Sequence, residues 1–217
     1  MARAAISTAK EPAPTREQGA EWNPVQGLKG HRREIILRSV ANFLRSAPLS
    51  SVTMEDIAAE LDMTKGNLYY YFKDKQDILF QCHMRSMDIS LKALEGALSV
   101  SGSPRESLRI LLVNHIRGIL DDGFGGIMQT DLEHFLPEQR KQYVKRRDMF
   151  EHGVRKLIED GARAGEFKKV NVKLAGLAIL GSINWIPKWY RPTGSLSAEQ
   201  IAEQMSGYFL DGLSPKA

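Results

Sequence analysis

Thr53-Met54-Glu55-Asp56-Ile57-Ala58-Ala59-Glu60-Leu61-Asp62-Met63-Thr64-Lys65-Gly66-Asn67-Leu68-Tyr69-Tyr70-Tyr71-Phe72 is the stretch that decides the fold. Thr53 followed by an acid at Asp56 is a capping box, the signal that opens a helix, and Met54, Ile57, Ala58 and Leu61 then recur at the spacing of one helical face. That helix is short, because Leu61-Asp62-Met63 leads within a few residues to Thr64, a second N-cap, which opens Lys65-Gly66-Asn67-Leu68-Tyr69-Tyr70-Tyr71-Phe72. Upstream, Ile36, Val40 and Phe43 recur at i, i+4 and i+7 and predict a helix that ends before Ala47-Pro48. Three helices with a tight turn between the second and third meet the requirement for a helix-turn-helix, whose last helix enters the major groove of DNA.

The side chains of that last helix suit such a surface. Lys65 in its first turn has the reach for a base edge or a phosphate, and Gly66 lets backbone approach DNA closely. Tyr69, Tyr70 and Tyr71 carry hydroxyls suited to phosphate oxygens, with at least one of the three expected to join Leu68 and Phe72 in the core. Lys73 and Lys75 follow as cations. The stretch from Leu28 to Ser50, which holds the first helix, adds Lys29, Arg32, Arg33, Arg38 and Arg45 against Glu34. These residues also fit a solvated charge run on a packed helix, and a helix-turn-helix can meet protein instead of DNA, so an all-α protein-interaction module is the alternative.

From Leu28 to Leu79 the sequence resembles the TetR family of bacterial transcriptional regulators, most specifically in the run K-G-N-L-Y-Y-x-F-x-x-K. The resemblance implies base or groove contacts from Thr64, Lys65 and Gly66 and phosphate contacts from Thr53, Tyr69, Tyr70 and Lys75. Tyr71 stands where histidine is commonest, which bears on one phosphate contact, and Ala47-Pro48 replaces the usual glycine before the second helix.

The rest of the chain also reads as helix, so the fold class is all-α: a tail over residues 1–27 expected to be disordered, a helix-turn-helix domain over 28–76 and a helical regulatory and dimerisation domain over 77–217. Leu91, Leu94 and Leu98 line one face of the helix from Asp77 to about Ser99. Ser103-Pro104-Arg105-Glu106 caps the next, which ends at Asp121-Asp122-Gly123. A short helix over 127–135, longer ones from Pro137 to about Gly161 and from Asn171 to Tyr190, and a last one from Ser197 to about Leu213 complete the set. Two copies of the recognition helix about 34 Å apart read a palindrome, which makes a homodimer the expected state and double-stranded DNA the expected partner. Leu174 to Ile186 is apolar nearly all round, so the last two long helices are the expected dimer interface.

The segment Asn184-Trp185-Ile186-Pro187-Lys188-Trp189-Tyr190-Arg191-Pro192-Thr193-Gly194 is similar to a signature of TetR regulators associated with fatty-acid, steroid or aromatic-acid catabolism, which implies a small-molecule inducer of the acyl-CoA class. Trp185 and Trp189 at i and i+4 suit the wall of an apolar cavity, and Lys188, Arg191 and Arg147, with Arg146 beside it, suit an anionic ligand. The same tryptophans suit dimer-core packing equally well, with the cations as rim residues.

Composition bounds the remaining classes. The 217 residues carry a net charge of +4 and a single cysteine, Cys82, which favours a reducing, cytoplasmic setting over a disulfide-stapled secreted scaffold. Leu174 to Ile186 is shorter than the roughly 18 residues a membrane span needs and holds Ser182 and Asn184, so no membrane partner is expected. Gly123-Phe124-Gly125-Gly126 lacks the Lys-Ser/Thr of a phosphate loop, and the histidines, His115 and His134 included, have no metal-ligand spacing. No catalytic constellation, cofactor or metal is called for.

Overall fold

The computed structural model describes residues 24–43, 52–121, 123, 124, 127 and 132–215, with side chains from Gly30 onward. The described residues form α-helices, without a strand: α1 (Pro24–Phe43), α2 (Met54–Glu60), α3 (Lys65–Tyr71), α4 (Lys75–Ser99), α5 (Pro104–Asp121), α6 (Pro137–Arg163), α7 (Val172–Trp189) and α8 (Ala198–Leu213). α1 starts upstream of Leu28, where order was expected, with Pro24 at its first position; proline is favoured there because its missing N–H would be unbonded anyway. Residues 1–23 of the expected tail lie outside the described residues, as does Ala47-Pro48.

The caps fall where the sequence put them. Thr53 and Asp56 bond reciprocally at the start of α2, Thr64 Oγ1 accepts from the Asn67 amide at 3.1 Å, and Ser197 and Gln200 form a second capping box on α8. Between α2 and α3 the chain reverses through Asp62 at φ 51°, a left-handed conformation that aspartate tolerates better than most residues. Of the expected helix over 127–135, Leu132–His134 form a 3₁₀ turn, and residues 128–131 lie outside the described residues. Leu136, before Pro137, sits at ψ 150°, because the residue before a proline is pushed out of helical conformation, and this separates the turn from α6.

Two hydrophobic clusters share α4. The first holds Ile36, Val40, Ile57, Leu68 and Phe72 of the helix-turn-helix, closed from outside by Ile78, Leu79 and Cys82 of α4 and by Phe124, Ile127, Phe135 and Tyr143. The second joins Leu94 and Ala97 of α4 to α5, α6, α7 and α8 around Leu108, Leu112, Val154, Ile158, Ile183 and Ala202. The helix-turn-helix core therefore runs past residue 76 into α4, and one rigid helix connects it to the C-terminal bundle. Leu98, expected on the buried stripe of α4, is instead 59% exposed, because the bundle contact passes through Leu94 and Ala97. No helix among the described residues is long and apolar enough to cross a membrane.

Candidate nucleic-acid interface and ligand cleft

α3 has two faces. Leu68 is fully buried and Phe72, its C-cap, is nearly so, whereas Tyr69 and Tyr70 are 46% and 63% exposed. Tyr71 is the tyrosine that turns inward: half-buried, it packs on the first cluster with its ring edge-on to Tyr70. The outward face carries Thr64, Lys65, Gly66, Tyr69 and Tyr70. A Cβ at Gly66 would meet only Thr64 Oγ1, at 4.0 Å, so nothing inside the protein requires a glycine there.

Lys65 is held by Glu55 of α2 through a hydrogen-bonded ion pair, which raises the lysine pKa and lowers that of the glutamate, and its ammonium lies 5.8 Å from the centre of the Tyr69 ring. Two other sequence-assigned residues build the scaffold of this face. Thr53 donates its hydroxyl to Asp56 Oδ2 at 2.7 Å while accepting the Asp56 amide, and this bonding holds the Asp56 carboxyl below its usual range. Lys75 Nζ donates to the Val52 carbonyl at 2.7 Å, tying the start of α4 to the start of α2. Arg33 of α1 stacks over Phe72, 5.2 Å from its centre.

The C-terminal residues assigned to a ligand lie on the outer surface. Trp185 is 61% and Trp189 48% exposed, and with Leu174 and Leu177 they form an apolar stripe along α7; Tyr208 of α8 is exposed as well. Lys188 is exposed in the last turn of α7, where a cation complements the helix dipole. Arg191 donates through Nη1 to the carbonyls of Lys188 and Tyr190 at 3.2 and 3.0 Å, closing the end of that helix. Arg147 is exposed and pairs with its neighbour Asp148 at 2.9 Å.

A concavity among the described residues lies elsewhere. A cavity of about 750 Å³ opens between α4, α5 and α6, lined by Arg85, Asp88, Ile89, Lys92, Gly118 and Arg146 among others, and none of the five sequence-assigned ligand residues lines it. Its size is that of a small-molecule site, and Gly118 shapes it, since a Cβ there would land on Ile89 Cγ2. Sequence reasoning had Arg146 within reach, but 146 and 147 both stand three or four residues from buried Tyr143 and Phe150, so periodicity did not separate them. The partner that turns Arg146 inward, Asp88, is on another helix. Of the two histidines named from the sequence, His115 is buried against Phe150 and His134 is exposed.

Comparison with known proteins agrees with this architecture. Residues 36–82 match the model described as "Bacterial regulatory proteins, tetR family", and residues 101–213 match "Tetracyclin repressor-like, C-terminal domain". The HTH-type transcriptional repressor KstR2 of Rhodococcus jostii is 25% identical over 190 residues, 86% of this chain and 93% of that one. Among solved structures, the TetR family regulator PfmR of Thermus thermophilus is 30% identical with a TM-score of 0.74, covering 83% of this chain and 99% of that one. AibR, solved with isovaleryl coenzyme A and operator DNA, is 25% identical with a TM-score of 0.70, covering 82% and 97%. With a helix-turn-helix ahead of a matching C-terminal domain that spans half its length, the chain belongs to the TetR family of bacterial transcriptional regulators.

Proposed function

We propose that this protein is a cytoplasmic repressor that binds a palindromic operator as a homodimer and leaves it when a small anionic amphiphile, of the acyl-CoA class, occupies the C-terminal domain. The observation that carries the DNA-binding half is the division of α3: Leu68 and Phe72 hold it in the core, and Thr64, Lys65, Gly66, Tyr69 and Tyr70 are presented outward. Thr64, Lys65 and Gly66 take the groove, and Tyr69 and Tyr70 take phosphates. Thr53 and Lys75 set the position of α2, and Tyr71 steadies α3 from the core side.

The exposed apolar stripe of α7, together with exposed Tyr208 on α8, supports dimerisation through α7 and α8, which favours the interface role for Trp185 and Trp189 over a pocket wall. Lys188 and Arg191 then belong to the rim and the cap of α7, and the ligand site moves to the cleft of α4, α5 and α6. The acyl-CoA class draws support from the isovaleryl coenzyme A in the AibR structure. The test is titration of a duplex selected from a random-sequence pool, with non-specific duplex as competitor. Lys65→Ala is expected to weaken binding by about 1–3 kcal/mol without loss of fold; unchanged affinity would remove α3 from the interface.

A further inference from the structure

The cleft sets the apolar side chain of Ile89, against Gly118, beside the charged side chains of Arg85, Asp88, Lys92, Glu95 and Arg146. These charges are linked in series. Arg146 Nη2 donates to Asp88 Oδ1, Arg85 Nη1 lies 3.8 Å from Asp88 Oδ2, and Arg85 Nε donates to Glu34 Oε1 at 2.8 Å. Glu34 is on α1, so alternating charge runs from α6 through α4 to the helix-turn-helix domain. The side chains are 27–45% exposed, so each pair is individually weak and open to exchange with a competing anion.

Resting on the ligand-controlled function above, the geometry points to a defined ligand chemistry and a route for its signal: an amphiphile whose apolar chain lies against Ile89 and whose carboxylate or phosphate takes Arg146 from Asp88, so that Asp88 turns to Arg85 and draws it off Glu34. The guanidinium fork of Arg146 matches either anion in bidentate fashion. Asp88 and Arg85 are three residues apart on one helix face, so the displaced carboxylate finds its new partner without backbone movement. Loss of the Arg85–Glu34 tie loosens the polar edge of the α1–α4 contact, whose apolar packing through Ile36, Leu79 and Cys82 persists, and so biases the relative placement of the two recognition helices in a dimer. Because the ties are half-exposed, the coupling amounts to a several-fold change in operator affinity rather than a thousandfold one.

The experiment uses the full-length protein, decanoate and decanoyl-CoA as probes, calorimetric titration for probe binding, and fluorescence anisotropy for a selected operator duplex. Circular dichroism melts check that the half-exposed substitutions leave the fold intact. Arg146→Met is expected to weaken probe binding about tenfold or more, as loss of a charge-assisted bond implies, and Asp88→Asn to strengthen it several-fold by removing the competitor. Glu34→Gln is expected to lower ligand-free operator affinity several-fold and to shrink the further effect of the probe. Binding of decanoate identifies the carboxylate as the recognised anion; binding of decanoyl-CoA alone identifies the phosphates. Probe affinity indifferent to both Arg146→Met and Asp88→Asn, or no binding of either probe, overturns the ligand assignment. A probe effect on operator binding that survives intact in Glu34→Gln overturns the route. Each of these outcomes leaves DNA binding by the wild type standing, whereas absence of sequence-selective duplex binding overturns the function itself.

Discussion

Gly66 and Lys65 mark how the DNA-facing surface differs from the core at single-residue resolution. Gly66 has open space around the Cβ it lacks, so Gly66→Ala should stabilise the exposed α3 by up to about 1 kcal/mol through helix propensity alone. The same methyl is expected to weaken operator binding, because the backbone can no longer approach the duplex closely; a melt and an anisotropy titration on one sample check both signs. Lys65 is already paired with Glu55, so DNA must compete with that carboxylate. Glu55→Gln should therefore raise operator affinity a few-fold and keep the salt slope, whereas Lys65→Ala should lower the affinity and reduce the slope by about one unit if the lysine meets a phosphate. Two buried histidines set the pH response of stability. His115 lies against Phe150 and His83 between Phe135 and Tyr143, and burial lowers each pKa from 6.5 to about 4. The unfolded chain thus takes up these protons first as pH falls, and stability present above pH 6.5 is lost progressively down to about pH 4, by roughly 3 kcal/mol for each histidine. Denaturant unfolding at neutral pH and at about pH 5 checks this, with His115→Phe expected to lessen the loss.

At the scale of elements, much of the helix pattern was legible because caps and periodicity are local: Thr53, Thr64 and Ser197 each act where the sequence put them. Ser197→Ala should accordingly cost about 1 kcal/mol in denaturant unfolding. What the sequence hid was long-range. The length of α4 that serves two cores depends on Phe124, Ile127 and Tyr143 returning to the helix-turn-helix, and no local signal announces that return. Which side chains of α3 face outward was legible from its periodicity, whereas the inward turn of Tyr71 and the bonding of Thr53, Lys65 and Lys75 within the protein, to Asp56, Glu55 and the Val52 carbonyl, were not. The cleft was not readable, since its charges come from three helices and its shape depends on Gly118 meeting Ile89. Gly118→Ala should spread α4 from α5, costing about 1–3 kcal/mol and altering the cleft before it alters α3. Unfolding and operator titration together check that order.

For the whole molecule, the same α7 that looked too apolar for a monomer's surface carries its exposed leucines and tryptophans in one stripe, with Arg191 closing its end. Trp185 and Trp189 were equally compatible with a cavity and an interface from sequence, because both environments favour large aromatics; exposure on the outer side of the bundle favours the second. Leu177→Asp should shift sedimentation toward the monomer and weaken operator binding in parallel, since two recognition helices must act together on a palindrome. The central claim is that α3 reads DNA sequence, and its most direct test is selection of duplexes from a random-sequence pool by the wild-type protein, with the winner titrated against non-specific competitor at two salt concentrations. Enrichment of a palindrome whose half-sites are spaced by a helical turn or a multiple of it, bound far more tightly than competitor and lost in Lys65→Ala, is the expected result. A pool that stays random, with equal and steeply salt-dependent binding to every duplex, would contradict it.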